Sequence, residues 1–230
     1  MGVLPESDGA TLRPWIAEAR SNWLWLAEIS TWEKALDLGS GDAAQMPGLA
    51  EHFTTVHCLR LDRRLLGRTR SELTARGYAN IEAACATPVE LPYRDGVFDC
   101  VVLDDVCARA LATARGGSFG ATLDRLLQEC HRTIRRGGCL CVGISTPHWW
   151  GRFFGLKYRL TFAGFSLVRV YGAEPSYDEP RWIIPMDRRA VLAYEHLGRE
   201  ASPHGPLRSF LAWLGLRCVL YPSRIYLAYA

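Results

Sequence analysis

The chain has 230 residues, 49% of them hydrophobic and 22% charged, which suits one α/β domain with an elaboration. No run of about 18 apolar residues occurs, so no transmembrane helix is expected. The net charge of +3 is too small to point to nucleic acid.

The charge is uneven, with −2 over residues 1–150 and +5 over residues 151–230, as weakly suits an anionic substrate or a scatter of solvated side chains. The first eight residues, Met-Gly-Val-Leu-Pro-Glu-Ser-Asp, lack the basic region and apolar stretch of a signal peptide. Eight cysteines stand at 58, 85, 100, 107, 130, 139, 141 and 218 with no Cys-x-x-Cys spacing. Most lie in apolar surroundings, as reduced core cysteines do, so a reducing, cytoplasmic location is expected. Neither the cysteines nor the six histidines fall at metal-ligand spacing with acids, so no metal site is expected.

In chain order, Thr11 to Ser30 reads as a helix opening at Pro14, with Trp15, Ile16, Ala19, Trp23, Leu26 and Ala27 at spacings of three and four. Its tryptophans suit a core face or, alternatively, a lid over a flat substrate. Lys34 to Leu38 reads as a buried strand, and Ala43 to Glu51 as a helix after a glycine turn. Thr54 to Leu61 is a second strand, residues 63–77 a helix stopped by Gly77, and Asn80 to Cys85 a third strand. Phe98 to Leu103 is a fourth strand. A helix over about 120–135 carries Leu123, Leu126, Leu127, Cys130 and Ile134 on one stripe, with Gly137-Gly138 at its end. Cys139 to Ile144 is a fifth strand, His148 to Phe162 a helix, and Phe165 to Tyr171 a sixth strand. Residues 172–222 are rich in proline and aromatics, with a helix capped by Asp187, and Arg224 to Ala230 closes as a final strand. Strands alternating with helices at this spacing predict a doubly wound, mostly parallel sheet.

The chemistry concentrates at Ala35-Leu-Asp-Leu-Gly-Ser-Gly-Asp-Ala43. Gly39 and Gly41 allow backbone to approach a ligand closely, and the free N–H groups of the following helix face the same place. Asp37 sits at the strand's end, and Asp62 stands where the second strand should end. An ordinary strand-to-helix turn would explain the glycines alone; the two acids favour a nucleotide-like ligand. Gly39-Ser-Gly41-Asp-Ala-Ala44 also satisfies the dinucleotide pattern, which keeps an NAD-type oxidoreductase as an alternative.

Four runs of residues resemble one family. Asp37-Leu-Gly-Ser-Gly41 is similar to the first motif of class I S-adenosylmethionine-dependent methyltransferases, and Asp62 to the acid after their second strand. Leu91-Pro-Tyr93 leading to Phe98-Asp99 resembles their run into strand four. Leu127 to Gly138 resembles their helix and double glycine before strand five. The likeness covers about residues 33–145 and lies nearest the ubiquinone/menaquinone C-methyltransferase group of small-molecule enzymes.

The resemblance implies a Rossmann-like methyltransferase fold: a seven-stranded, mostly parallel α/β sheet with an inserted helical and aromatic lid. The divisions it suggests are an N-terminal helical cap over 1–32, a cofactor-binding core over 33–171, a lid over 172–222 and a last core strand over 223–230. S-adenosyl-L-methionine is the implied cofactor and a small molecule the implied partner, possessing a flat aromatic or lipid-linked part. Backbone at Gly39, Ser40 and Gly41 would hold the methionine end, with Asp37 near its amino group. Asp62 would take both ribose hydroxyls, Ala86 and Thr87 would face the adenine, and Asp104 would border the sulfonium. Two departures stand out: Ala43 replaces a third glycine, and Thr87 stands where an acid is common. For proton removal from an acceptor, Asp105 after strand four and His148 after strand five are the candidates, since ligands bind where parallel strands end. A protein of this fold that binds without catalysing is the other alternative.

Overall fold

In the computed structural model, described over residues 20–39, 45–60, 63–104, 118–144, 155–197, 210–211, 213–214, 220–221 and 223–230, apolar runs become the middle of one sheet. β1 (Lys34–Asp37) lies between β2 (Thr55–Arg60) and β4 (Phe98–Asp104), all parallel. β3 (Ile81–Cys85) continues the sheet past β2, and β5 (Ile134–Ile144) continues it past β4. Beyond β5 the sense alternates: β8 (Arg224–Tyr229) runs antiparallel to both β5 and β6 (Leu167–Pro175), and β7 (Pro180–Pro185) forms a hairpin with β6. The order is β3-β2-β1-β4-β5-β8-β6-β7. Cys100, Val101, Val102 and Leu103 are all fully buried, as a strand covered on both faces requires.

Helices cover the two faces. α3 (Phe119–Thr133) and α4 (Leu156–Phe162) pack with Leu36, Val101, Leu140 and Val142 on one side. On the other, α1 (Met46–His52), Leu73 of α2 (Arg63–Ala75) and a 3-10 turn at Asn22–Leu26 meet Ala35, Cys58, Cys100, Val102 and Cys139. α5 (Arg188–Leu197) opens on Asp187, whose Oδ1 accepts from the N–H groups of Arg189 and Ala190, both at 2.9 Å, as the capping expectation holds.

Four expectations change. The sheet has eight strands among the described residues, because Pro180–Pro185, expected in a lid, pairs with β6 as its edge. Prolines at both ends of β7 are tolerated there, because proline lacks an N–H and, among the described residues, no strand pairs with the outer edge. β6 itself runs on to Pro175 rather than stopping at Tyr171. The described end of the N-terminal helix is a 3-10 turn of five residues, leaving helical geometry at Ala27. Lastly, α3 stops at Thr133, and Gly137-Gly138 lie inside β5. A Cβ on Gly138 would come 2.6 Å from the carbonyl oxygen of Asp99, so glycine there lets two strands approach where their register shifts between Phe98 and Cys100.

Three motif residues prove to be fasteners. Asp99 takes the Thr31 hydroxyl (2.7 Å), the N–H groups of Glu33 (2.9 Å) and Lys34 (2.7 Å), and the Arg135 guanidinium, at the amino end of the sheet. Arg132 of α3 binds the carbonyls of Leu91 (3.1 Å) and Tyr93 (2.8 Å), while Glu129 accepts from the Leu91 N–H (2.9 Å). Thus the Leu-Pro-Tyr run and the helix before strand five, separate in sequence, are one joint.

Candidate cofactor and acceptor site

Chain order reverses between β1 and β4, and the crevice at the carboxyl ends of such strands is where ligands bind in open α/β sheets. β1 delivers Asp37 and Gly39 there. Asp37 is 2% exposed: Oδ1 accepts from the Gly39 N–H (3.2 Å) and Oδ2 meets Arg60 Nη1 at 2.9 Å. Arg60, the last residue of β2, is 1% exposed; it also donates from Nε to Thr69 Oγ1 (3.2 Å) and from Nη1 to the Leu59 carbonyl (3.1 Å). Cys58, opposite Asp37 in register, has its thiol pushed up to about 12 by burial and then by the Asp37 charge, with Arg60 opposing. It is therefore a neutral core thiol and no nucleophile.

Ala86 and Thr87 leave β3 at the same edge, where the Ala86 N–H donates to the Arg60 carbonyl at 3.1 Å. Asp104 ends β4, its backbone opposite Gly143 of β5. Asp37, Gly39, Ala86, Thr87 and the backbone of Asp104 thus share one edge of the sheet. Ser40, Gly41, Ala43, Asp62, Asp105 and His148 lie outside the described residues, as does the Asp104 side chain. Among the described residues no group of His, Cys, Asp or Glu could hold a metal ion.

A second cluster at this edge was not anticipated. β6 runs in the same sense as β5, because each is antiparallel to β8, and Gly172 stands level with Ile144 through Arg224. Three further residues carry β6 roughly 10 Å past the sheet's edge. The hairpin tip then folds back: Tyr177, 1% exposed, packs its ring on Gly143. Ser223 locks the tip, accepting from the Tyr177 N–H (2.6 Å) and donating to the Ile144 carbonyl (2.8 Å). From the N-terminal side, Arg20 pairs with Asp178 and lies over the Tyr177 ring, 6.0 Å from its centre. Nearby in the chain, Trp23 donates to buried Gln45 at the start of α1 (3.2 Å). Trp23 is wholly buried, whereas Trp25 and Trp182 are 79% and 60% exposed. No sequence pattern distinguishes Tyr177 from its aromatic neighbours; Gly143, a glycine inside a buried strand, was the available sign.

The pattern of the central residues is that of a known family: residues 36–142 match the model of a methyltransferase domain. Residues 36–142 form an S-adenosylmethionine-dependent methyltransferase domain. Compared with curated proteins, its sequence matches none. Among solved structures it is similar to phosphoethanolamine N-methyltransferase 2 of Haemonchus contortus in complex with S-adenosyl-L-methionine, at 13% identity and a TM-score of 0.57. That likeness covers 96% of this chain but 56% of the other. The YcgJ protein of Bacillus subtilis aligns at 10% identity over 92% of this chain and 97% of its own, with a TM-score of 0.53. The [4+2]-cyclase SpnF aligns at 16% identity over 97% and 83%, with a TM-score of 0.51. At these identities the structures share the fold. The methyltransferase domain takes S-adenosylmethionine as cofactor, and its described residues fit one: Gly39 leaves β1 at the switch point, and the small side chains of Ala86 and Thr87 follow β3.

Proposed function

We propose that this methyltransferase moves the methyl group of S-adenosylmethionine to a small or medium-sized acceptor with a flat apolar part, bound at the carboxyl edge of the sheet beside the hairpin tip that Tyr177, Arg20 and Ser223 hold in place. The observation that carries it is the Tyr177 ring on Gly143, one strand from Asp104, with Arg20 over the ring. Methyl transfer from a sulfonium needs an in-line approach and little covalent help, so a shaped, water-excluding wall supplies much of the rate.

In this proposal the backbone of Gly39, Ser40 and Gly41 holds the methionine end, Asp62 the ribose, Ala86 and Thr87 the adenine, and Asp104 borders the sulfonium. Asp105 or His148 removes a proton where the acceptor atom is a hydroxyl oxygen. The motif likeness to ubiquinone/menaquinone C-methyltransferases supports an aromatic or lipid-linked acceptor. The free buried cysteines support a reducing compartment such as the cytoplasm. Residues 172–222 contribute the hairpin wall. Its exposed Trp182 lies three strands beyond β5, roughly 14 Å away, whereas buried Tyr177 anchors the hairpin tip next to β5.

The test is calorimetry with S-adenosylhomocysteine, followed by turnover of a panel of quinols, phenols and amines. Tyr177→Ala is expected to leave cofactor affinity within about twofold, below roughly 0.4 kcal/mol, while acceptor turnover falls. Equal loss of both would remove the acceptor assignment.

A further inference from the structure

Arginine is seldom buried, and Arg60 is buried at the cofactor edge without belonging to any motif of the sequence. Its guanidinium bridges three elements: Asp37 at the end of β1 (2.9 Å), Thr69 in α2 (3.2 Å) and its own strand through the Leu59 carbonyl (3.1 Å). Thr69 is itself fully buried. A guanidinium withdrawn from water in this way needs a close anion, and Asp37 supplies it.

The pairing changes what Asp37 can do. Its two oxygens are engaged, one by Arg60 and one by the Gly39 N–H, and its charge is balanced inside the protein. At 2% exposure the carboxylate is buried rather than open to a ligand. An ammonium placed over the turn would meet a neutral ion pair, not a free acid. The remaining strong link from Asp37 is to the Gly39 N–H, where the turn begins.

We propose that Arg60 is a positioning residue of the cofactor site: it holds Asp37 as a strut under the Gly39 turn, so that Asp37 sets the turn's position and does not read the cofactor's amino group. This rests on the cofactor assignment above and adds a residue and a division of labour to it. The amino group is then met by backbone, and the Arg60–Asp37 pair acts through its hold on the Gly39 N–H.

The experiment compares the affinity of S-adenosylhomocysteine with that of its analogue lacking the α-amino group, in wild type, Asp37→Asn, Arg60→Met, Arg60→Lys and the double variant Arg60→Met/Asp37→Leu. The expected preference for the amino compound stays within about twofold of wild type in Asp37→Asn and in the double variant, although both bind more weakly. Arg60→Met weakens both compounds at least tenfold, and Arg60→Lys recovers part of that loss, because an ammonium reaches Asp37 but cannot also span to Thr69. If Arg60→Met fails to fold, the double variant carries the test, since an apolar pair of similar volume replaces a buried ion pair without leaving a lone charge. A preference that collapses towards one in Asp37→Asn would show that Asp37 reads the amino group, and would overturn the proposal. So would Arg60→Met that binds both compounds as wild type does. Wild-type protein that binds neither compound would instead overturn the cofactor assignment itself, and this proposal with it.

Discussion

The ring of Tyr177 occupies the space that a side chain on Gly143 would need: a Cβ built there would lie 2.0 Å from the ring's Cζ. The contact joins the hairpin tip to the carboxyl end of β5, and the Ser223 bridge and Arg20 hold the tyrosine in that place. Gly143→Ala must therefore expel a buried ring. Overpacking of this kind costs typically 1–3 kcal/mol. A lowered thermal midpoint is expected, with acceptor turnover reduced more than cofactor affinity. Turnover and midpoint both equal to wild type would show that the ring is not held against the strand.

Asp62→Ala is expected to weaken S-adenosylhomocysteine through the loss of two charge-assisted hydrogen bonds to the ribose, each worth roughly 1.5–3 kcal/mol. Isothermal titration measures it directly. Unchanged affinity would remove Asp62 from the cofactor site.

Glu129 carries a pH dependence. Its hydrogen bonds with Arg132 hold its carboxyl below the usual value of 4.5, aided by the Leu91 N–H and opposed by burial. The unfolded chain therefore takes up this proton at higher pH than the folded one. The stabilisation is complete above about 4.5 and is lost as pH falls through the lower folded value. Urea denaturation of wild type and Glu129→Gln should show the larger stability gap at pH 7, narrowing by pH 3. A gap independent of pH would mean that the Glu129 charge does not fasten the Leu91–Tyr93 loop.

Thiol labelling separates the cysteines. Cys85 is exposed at the end of β3, whereas Cys58, Cys100, Cys130, Cys139 and Cys141 are buried. Burial pushes the thiols of Cys100, Cys130 and Cys141 upward as it does that of Cys58. Iodoacetamide at pH 8 is expected to modify Cys85 in the native protein and these five only after unfolding, with mass spectrometry as the readout. Native labelling of Cys58 would contradict the packing under Asp37.

The sequence by itself determined the parallel half of the sheet, because a strand buried on both faces must be apolar throughout, as Val101 to Leu103 and Leu140 to Val142 are. Only the tertiary structure decided that Asp99 and Glu129 are fasteners, because their partners stand 65 and 38 residues away and leave no local periodicity. The same holds for Arg60, whose charge reads from sequence as a solvated strand end until Asp37 and Thr69 close around it. Pro180 to Pro185 read as loop because proline opposes strands in general, and an edge position removes that objection. The Tyr177 wall depends on Gly143 of β5 and the tip of the β6–β7 hairpin meeting across β8, a contact set by register and not by any residue's own preference.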